Sequence, residues 1–201
     1  ACAAAIGVAP SSTVAARVQQ FFAVVLLDKG WVMGGTGDPD PVAAGYFGHM
    51  RDAFLPGYTD VQPLTTPEQF WPVFGDLTFG ESVAQGVATV DGTIRPALES
   101  GDRVGVFGYS QSAAIATQEM KNLAANPPGG AYDPANLHFA LVGDPNDPLG
   151  GILTRFAFPD SATRLPLLNV PLGIGPTPTD LSSTDIYTGA YDGWANFPQD
   201  P

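Results

Sequence analysis

The segment Gly108-Tyr-Ser-Gln-Ser112 sets a serine between a short apolar run, residues 104–107, and an alanine-rich stretch, residues 110–125, made of good helix formers. A serine at a sharp strand-to-helix turn is arranged for nucleophilic attack. The turn strains the backbone and lifts the side chain clear, and small residues are needed two positions away on each side. Gly108 and Ser112 meet that need. Ser110 is therefore the candidate nucleophile of an acyl transfer reaction, with the positive end of the following helix facing the developing oxyanion. The plain alternative is a serine that merely caps a helix.

Acyl transfer also needs two backbone N–H donors for the oxyanion, one from the residue after the nucleophile and one from a loop after an earlier strand. Gln111 is the first, and Gly34-Gly-Thr-Gly37 offers the second through Thr36. Read as a phosphate cradle, the same loop fails on spacing. It has neither Gly-x-Gly-x-x-Gly nor Gly-Lys-Ser/Thr, and Pro39 and Pro41 interrupt the helix start that would face a phosphate. A tight turn with no catalytic role remains open.

Two carboxylates qualify as the acid: Asp144, ending a predicted strand, and Asp192, following the next one. Asp192 is favoured, because in hydrolases of this chain order the acid comes one strand further on. Asp144 suits a turn before Pro145, and either aspartate also fits a purely structural turn role. The base is harder to find, since the chain has only two histidines. His138 begins a strand whose far end approaches Ser110, which separates the two by about 20 Å at roughly 3.3 Å per residue. His49 precedes the serine, against the expected order, on a predicted helix running away from the site.

The elements that must position these residues alternate. The apolar run 21–27, followed by Gly34-Gly-Thr-Gly37, reads as a strand buried on both faces and ending in a tight loop. Apolar steps of three and four at Val83, Val87, Val90, Ile94 and Ala97/Leu98 trace one helical face over residues 82–100. Strands at 104–107, 138–142 and 184–188 follow, with the 110–125 helix between the first two. Such alternation predicts an open, mostly parallel α/β sheet with helices on both faces and ligands beyond the carboxyl ends of its strands. Residues 1–18 read as a linker, and residues 19–201 as one domain. Its proline-rich segment 145–178, bearing Phe156, Phe158, Leu167 and Leu168, is a candidate lid or substrate wall.

Composition narrows the partners. With 20 Asp+Glu against 8 Lys+Arg, a net charge of −12 leaves no basic stripe for nucleic acid. The apolar run 21–27 falls far short of the roughly 20 residues needed to span a bilayer. A lone cysteine, Cys2, gives neither a disulfide framework nor a zinc site.

With these residues in view, the chain resembles a known family, the PE-PPE domain of mycobacterial surface proteins, cutinase-like serine hydrolases of the α/β-hydrolase fold. The likeness is carried by Gly34-Gly-Thr-Gly37 with Pro39 and Pro41, Thr66-Pro-Glu-Gln-Phe70, Ser82-Val-Ala-Gln-Gly86, Gly108-Tyr-Ser-Gln-Ser-Ala113, Gly143-Asp-Pro-Asn146 with Gly150-Gly-Ile152, and Tyr191-Asp-Gly-Trp194. The resemblance implies Ser110 as nucleophile, Asp192 as acid and Thr36 and Gln111 as oxyanion donors, with a histidine expected beyond Pro201. Asn196 departs from the family pattern, which tends to carry aspartate there, and so leaves Asp192 favoured. Also implied are esterase or lipase activity on acyl esters, no metal or organic cofactor, and a place in the cell envelope or outside the cell; the apolar wall at 145–178 adds the expectation that short-to-medium acyl chains are preferred over acetate. The competing expectation is a catalytically inactive acyl-binding or surface module on the same fold.

Overall fold

The computed structural model describes residues 27–155, 164–171 and 174–198. Five parallel strands form one sheet: β1 (Asp28–Val32), β2 (Asp60–Pro63), β3 (Arg103–Tyr109), β4 (Leu137–Val142) and β7 (Ser183–Tyr187), in the order β2-β1-β3-β4-β7. After β1 the chain builds outward to β2, then returns to lay β3 on the other side of β1. The order therefore reverses between β1 and β3, which is where a sheet of this kind opens a crevice for ligands. The loop after β1 carries Thr36, and the turn after β3 carries Ser110.

Period-two alternation along the central strands decides which layer each side chain joins. Val104 and Val106 of β3, and Leu137, Phe139 and Leu141 of β4, face α2 (Phe79–Glu99) and α3 (Gln111–Ala125). Phe107 and Ala140 face the opposite way, beneath α1 (Phe47–Phe54). Helices thus cover both faces, as the sequence predicts. The anchor of α2 is its fully buried stripe, including Val90 and Ile94, each contributing about 1.5–3 kcal/mol on burial. Its start is fixed by a capping box, in which Thr78 accepts from the Glu81 N–H while the Glu81 side chain accepts from the Thr78 N–H.

Two strands add to the sequence reading. A strand leading into the Gly-rich loop is β1, Asp28–Val32; of the expected strand at 21–27, residues 21–26, like the linker 1–18, lie outside the described residues. Charges at the start of β1 hide it from a hydrophobicity pattern, and they are compensated: Lys29 pairs with Asp102 at 2.7 Å and Asp28 with Arg103 at 2.5 Å. Edge strand β2, Asp-Val-Gln-Pro, is too short and polar to announce itself. Its proline suits an edge.

The described part of segment 145–178 is more regular than its prolines suggest. It contains a 3₁₀ turn at Ile152–Thr154 and a hairpin pairing β5 (Arg164–Leu165) with β6 (Val170–Pro171). Among the described residues, no helix is long and apolar enough to cross a membrane.

Candidate active site

Ser110 occupies the junction of β3 and α3 with φ +55° and ψ −111°, a backbone region that L residues rarely adopt. Its own N–H remains in the sheet, donating to the Val142 carbonyl at 2.9 Å. Its hydroxyl does not cap the helix. The small flanking residues have visible reasons. A Cβ on Gly108 would lie 2.9 Å from the Ser112 carbonyl oxygen and 3.1 Å from both N and Cα of Ala113, so β3 and α3 meet there only through glycine. The Ser112 hydroxyl closes the turn, accepting from the Tyr109 N–H at 2.8 Å and lying 3.1 Å from the Tyr109 carbonyl.

The Gly-rich loop comes up against this turn. Gly35 lies under the Tyr109 ring, where an added Cβ would sit 2.8 Å from Cδ1. Thr36 donates from Oγ1 to Gln111 Oε1 at 2.9 Å, and the Gln111 amide donates onward to the Gln69 carbonyl at 2.9 Å. Among the described residues, nothing accepts from the backbone N–H of either Thr36 or Gln111. Two free donors therefore flank the serine, and Thr36, Ser110 and Gln111 line one cavity of about 490 Å³.

The rest of that cavity is apolar: Phe70, Val73, Phe79, Pro145, Leu153, Val170 and Trp194. Among the described residues, only Pro145, Leu153 and Val170 come from the expected wall. Phe156 and Phe158 lie outside the described residues, Leu167 is 74% exposed, and Leu168 packs against the core. Phe70, Val73 and Phe79 were not anticipated. The Thr66-Pro-Glu-Gln-Phe70 block was the available signal, but its side chains suggest no chemistry by themselves.

The two candidate acids stand in different surroundings. Asp144 is fully buried and both oxygens are engaged: Oδ1 accepts from the Asn146 N–H at 2.8 Å and Oδ2 from the Thr177 hydroxyl at 2.5 Å. Burial pushes its carboxyl up to about 6. It ties the 174–178 stretch to the end of β4. Asp192 uses one oxygen on its own turn, Oδ1 accepting from the N–H groups of Trp194 at 2.9 Å and Ala195 at 3.0 Å. Its Oδ2 reaches the carboxyl end of β4, 3.2 Å from where a Cβ on Gly143 would be. Asn196 donates to the Ala190 carbonyl and so braces the same turn. Neither histidine lines the cavity. His138 pairs with Asp185 at 3.2 Å near the start of β4, opposite Gly105, and His49 is exposed on α1.

The profile of the PE-PPE domain matches residues 56–201, more than half the chain. The chain belongs to the PE-PPE domain family. In Mycobacterium tuberculosis, this PE-PPE chain has a relative named PE family protein PE3, 45% identical over 175 residues, covering 85% of the chain and 36% of that protein. Another is named Esterase PE16, 39% identical over 175 residues, covering 85% of the chain and 32% of that protein. The chain thus spans about a third of the length of these curated relatives. Two solved structures share its fold. The catalytic core domain of acetyl xylan esterase from Trichoderma reesei gives a TM-score of 0.52 at 16% identity, covering 86% of this chain and 87% of its own. A cutinase-like protein from Cryptococcus sp. gives 0.51 at 21% identity, covering 85% and 81%. The PE-PPE chain has the α/β-hydrolase fold that these two structures share.

Proposed function

We propose that this PE-PPE chain is the hydrolytic domain of a serine esterase or lipase acting on short-to-medium acyl esters. The observation that carries the reading is Ser110 itself, strained at the β3–α3 junction and opening onto an apolar cavity beside the N–H groups of Thr36 and Gln111, which have no acceptor among the described residues. Ser110 attacks the ester carbonyl, and the oxyanion is received by the N–H groups of Thr36 and Gln111. The acyl chain lies along Phe70, Phe79, Leu153 and Val170. Asp192 orients and stabilises the imidazolium of a histidine contributed by the full-length protein from beyond residue 201, since His49 and His138 stand elsewhere. The family suggests a place in the cell envelope or outside the cell.

The test is a series of p-nitrophenyl esters from two to about sixteen carbons, assayed with the full-length protein. Each methylene buried contributes about 0.8 kcal/mol, close to fourfold in kcat/KM, until the chain outgrows the cavity. A maximum at short-to-medium length is expected. Strict preference for acetate, or a steady rise to the longest micellar ester, contradicts the cavity as acyl site.

Asp192→Asn and Asp144→Asn separate the two acids. Loss of the triad acid lowers kcat on the order of 10⁴-fold, and that loss is expected for Asp192→Asn. Asp144→Asn keeps a side-chain acceptor for Thr177 and is expected to change kcat by a few-fold at most. The reverse result moves the acid to Asp144.

A second reading, an inactive acyl-binding module, is favoured by one observation, that neither His49 nor His138 lines the cavity. Under it, a serine-directed phosphonate would leave Ser110 of the full-length protein unlabelled while fatty acyl probes still bound.

A further inference from the structure

Behind the Gly-rich loop lies a carboxylic acid that the proposed reaction does not use. Glu68 is fully buried and holds φ +48°, left-handed for a residue that has a Cβ. Its backbone and neighbours make it a strap between the two halves of the oxyanion site. The Glu68 carbonyl accepts from the Gly37 N–H at 2.9 Å, which holds the loop one residue past Thr36. The next carbonyl, Gln69, accepts from the Gln111 side-chain amide at 2.9 Å. From below, the Gln69 N–H donates to the Ser82 hydroxyl on α2 at 2.9 Å. The Glu68 side chain fixes this strap from within: Oε1 accepts from the Thr66 hydroxyl at 2.6 Å, while Oε2 is buried with no partner among the described residues.

Resting on the reading of Ser110, Thr36 and Gln111 as the catalytic site, we infer that Glu68 is a positioning residue that sets the oxyanion loop through its buried side chain. The side chain does this as a neutral acid. Desolvation pushes its carboxyl up to about 8, opposed only by the Thr66 hydrogen bond, and among the described residues no lysine or arginine offsets a charge there. The titratable group coupled to it is Tyr46, which packs against Gly34 and is itself pushed up to about 12 by burial and by the acidic groups Asp38 and Glu68, with Tyr109 adding to the shift. Above pH 8 Glu68 becomes an uncompensated anion behind the loop that must receive the oxyanion. Such a charge opposes the transition state and strains the strap. The catalysed step therefore loses rate on the alkaline side, although a serine hydrolase base would remain deprotonated there.

The test uses the full-length protein and a short-chain p-nitrophenyl ester, with kcat and KM measured from pH 6 to 10 for native protein, Glu68→Ala and Glu68→Gln. Glu68→Ala is expected to lower kcat at pH 7 by about 10- to 100-fold with KM within threefold, because the loop is misplaced while the acyl cavity is intact. Glu68→Gln, a neutral isostere, is expected to rescue most of that loss and to remove the alkaline fall near pH 8. If Glu68→Ala does not fold, the glutamine variant alone decides. An alkaline limb that persists in Glu68→Gln overturns the inference, as does a folded Glu68→Ala with native kcat. Ser110→Ala, run alongside, separates the two levels: full activity in that variant defeats the catalytic reading itself, whatever Glu68 does.

Discussion

Ser110→Ala in the full-length protein is expected to reduce kcat/KM for p-nitrophenyl butyrate by about 10⁴-fold or more, with the far-ultraviolet circular dichroism and melting temperature retained. Removing the nucleophile of such a triad leaves only the catalysis supplied by the oxyanion donors and by substrate binding. Folding should not suffer, because the hydroxyl makes no capping bond to α3 and the residue's backbone contact, Ser110 N–H to the Val142 carbonyl, survives the change. Turnover within tenfold of native would remove Ser110 from the mechanism.

The second large effect is expected from Gly108→Val, which touches no reacting group. The new side chain would meet the Ser112 carbonyl and the Ala113 backbone at distances that no rotamer relieves, so α3 must move away from β3. Overpacking of this kind costs about 1–3 kcal/mol. In a domain of this size each kcal/mol lowers the melting temperature by roughly 2–4 °C. The rate should fall further than stability does, because a displacement of about 1 Å at the nucleophile is enough for a 10²-fold loss. Calorimetry and kcat/KM on one preparation check both halves. Native values for both would mean that β3 and α3 do not approach each other through residue 108.

These two residues show what the sequence made legible. Gly108, Ser110 and Ser112 carry their geometry in their spacing, because an elbow constrains neighbours that are close along the chain. The same holds for the helical face from Val83 to Leu98 and for the strands on either side of α3. What the sequence withheld depends on contacts between distant segments. Phe70 and Phe79 reach the cavity only because the Glu68–Gln69 strap hangs from Gly37 and Gln111, bonds that span 31 and 42 residues. No local period encodes them. Strand β1 escaped the pattern because it opens on charged residues, which Asp102 and Arg103 neutralise, and it takes its place between β2 and β3. Asp144 and Asp192 look alike as strand-end aspartates; their difference lies in partners such as Thr177, 33 residues away.

The backbone angles of Ser110 bear on how such a domain could change over evolutionary time. Residues held in sparsely populated conformations cost of order 1–3 kcal/mol, against a total domain stability of about 5–15 kcal/mol. Glycine would occupy φ +55° without that cost. A lineage keeping the fold only as an inert display surface would meet no penalty on replacing residue 110, and a gain in robustness would favour doing so. Drift would then erase the hydroxyl early, through a single relaxed position, long before the sheet or the helices showed any sign of lost chemistry. Under the proposed function, the elbow is thus the part of the molecule where loss of catalysis would first become visible in descendants of this chain.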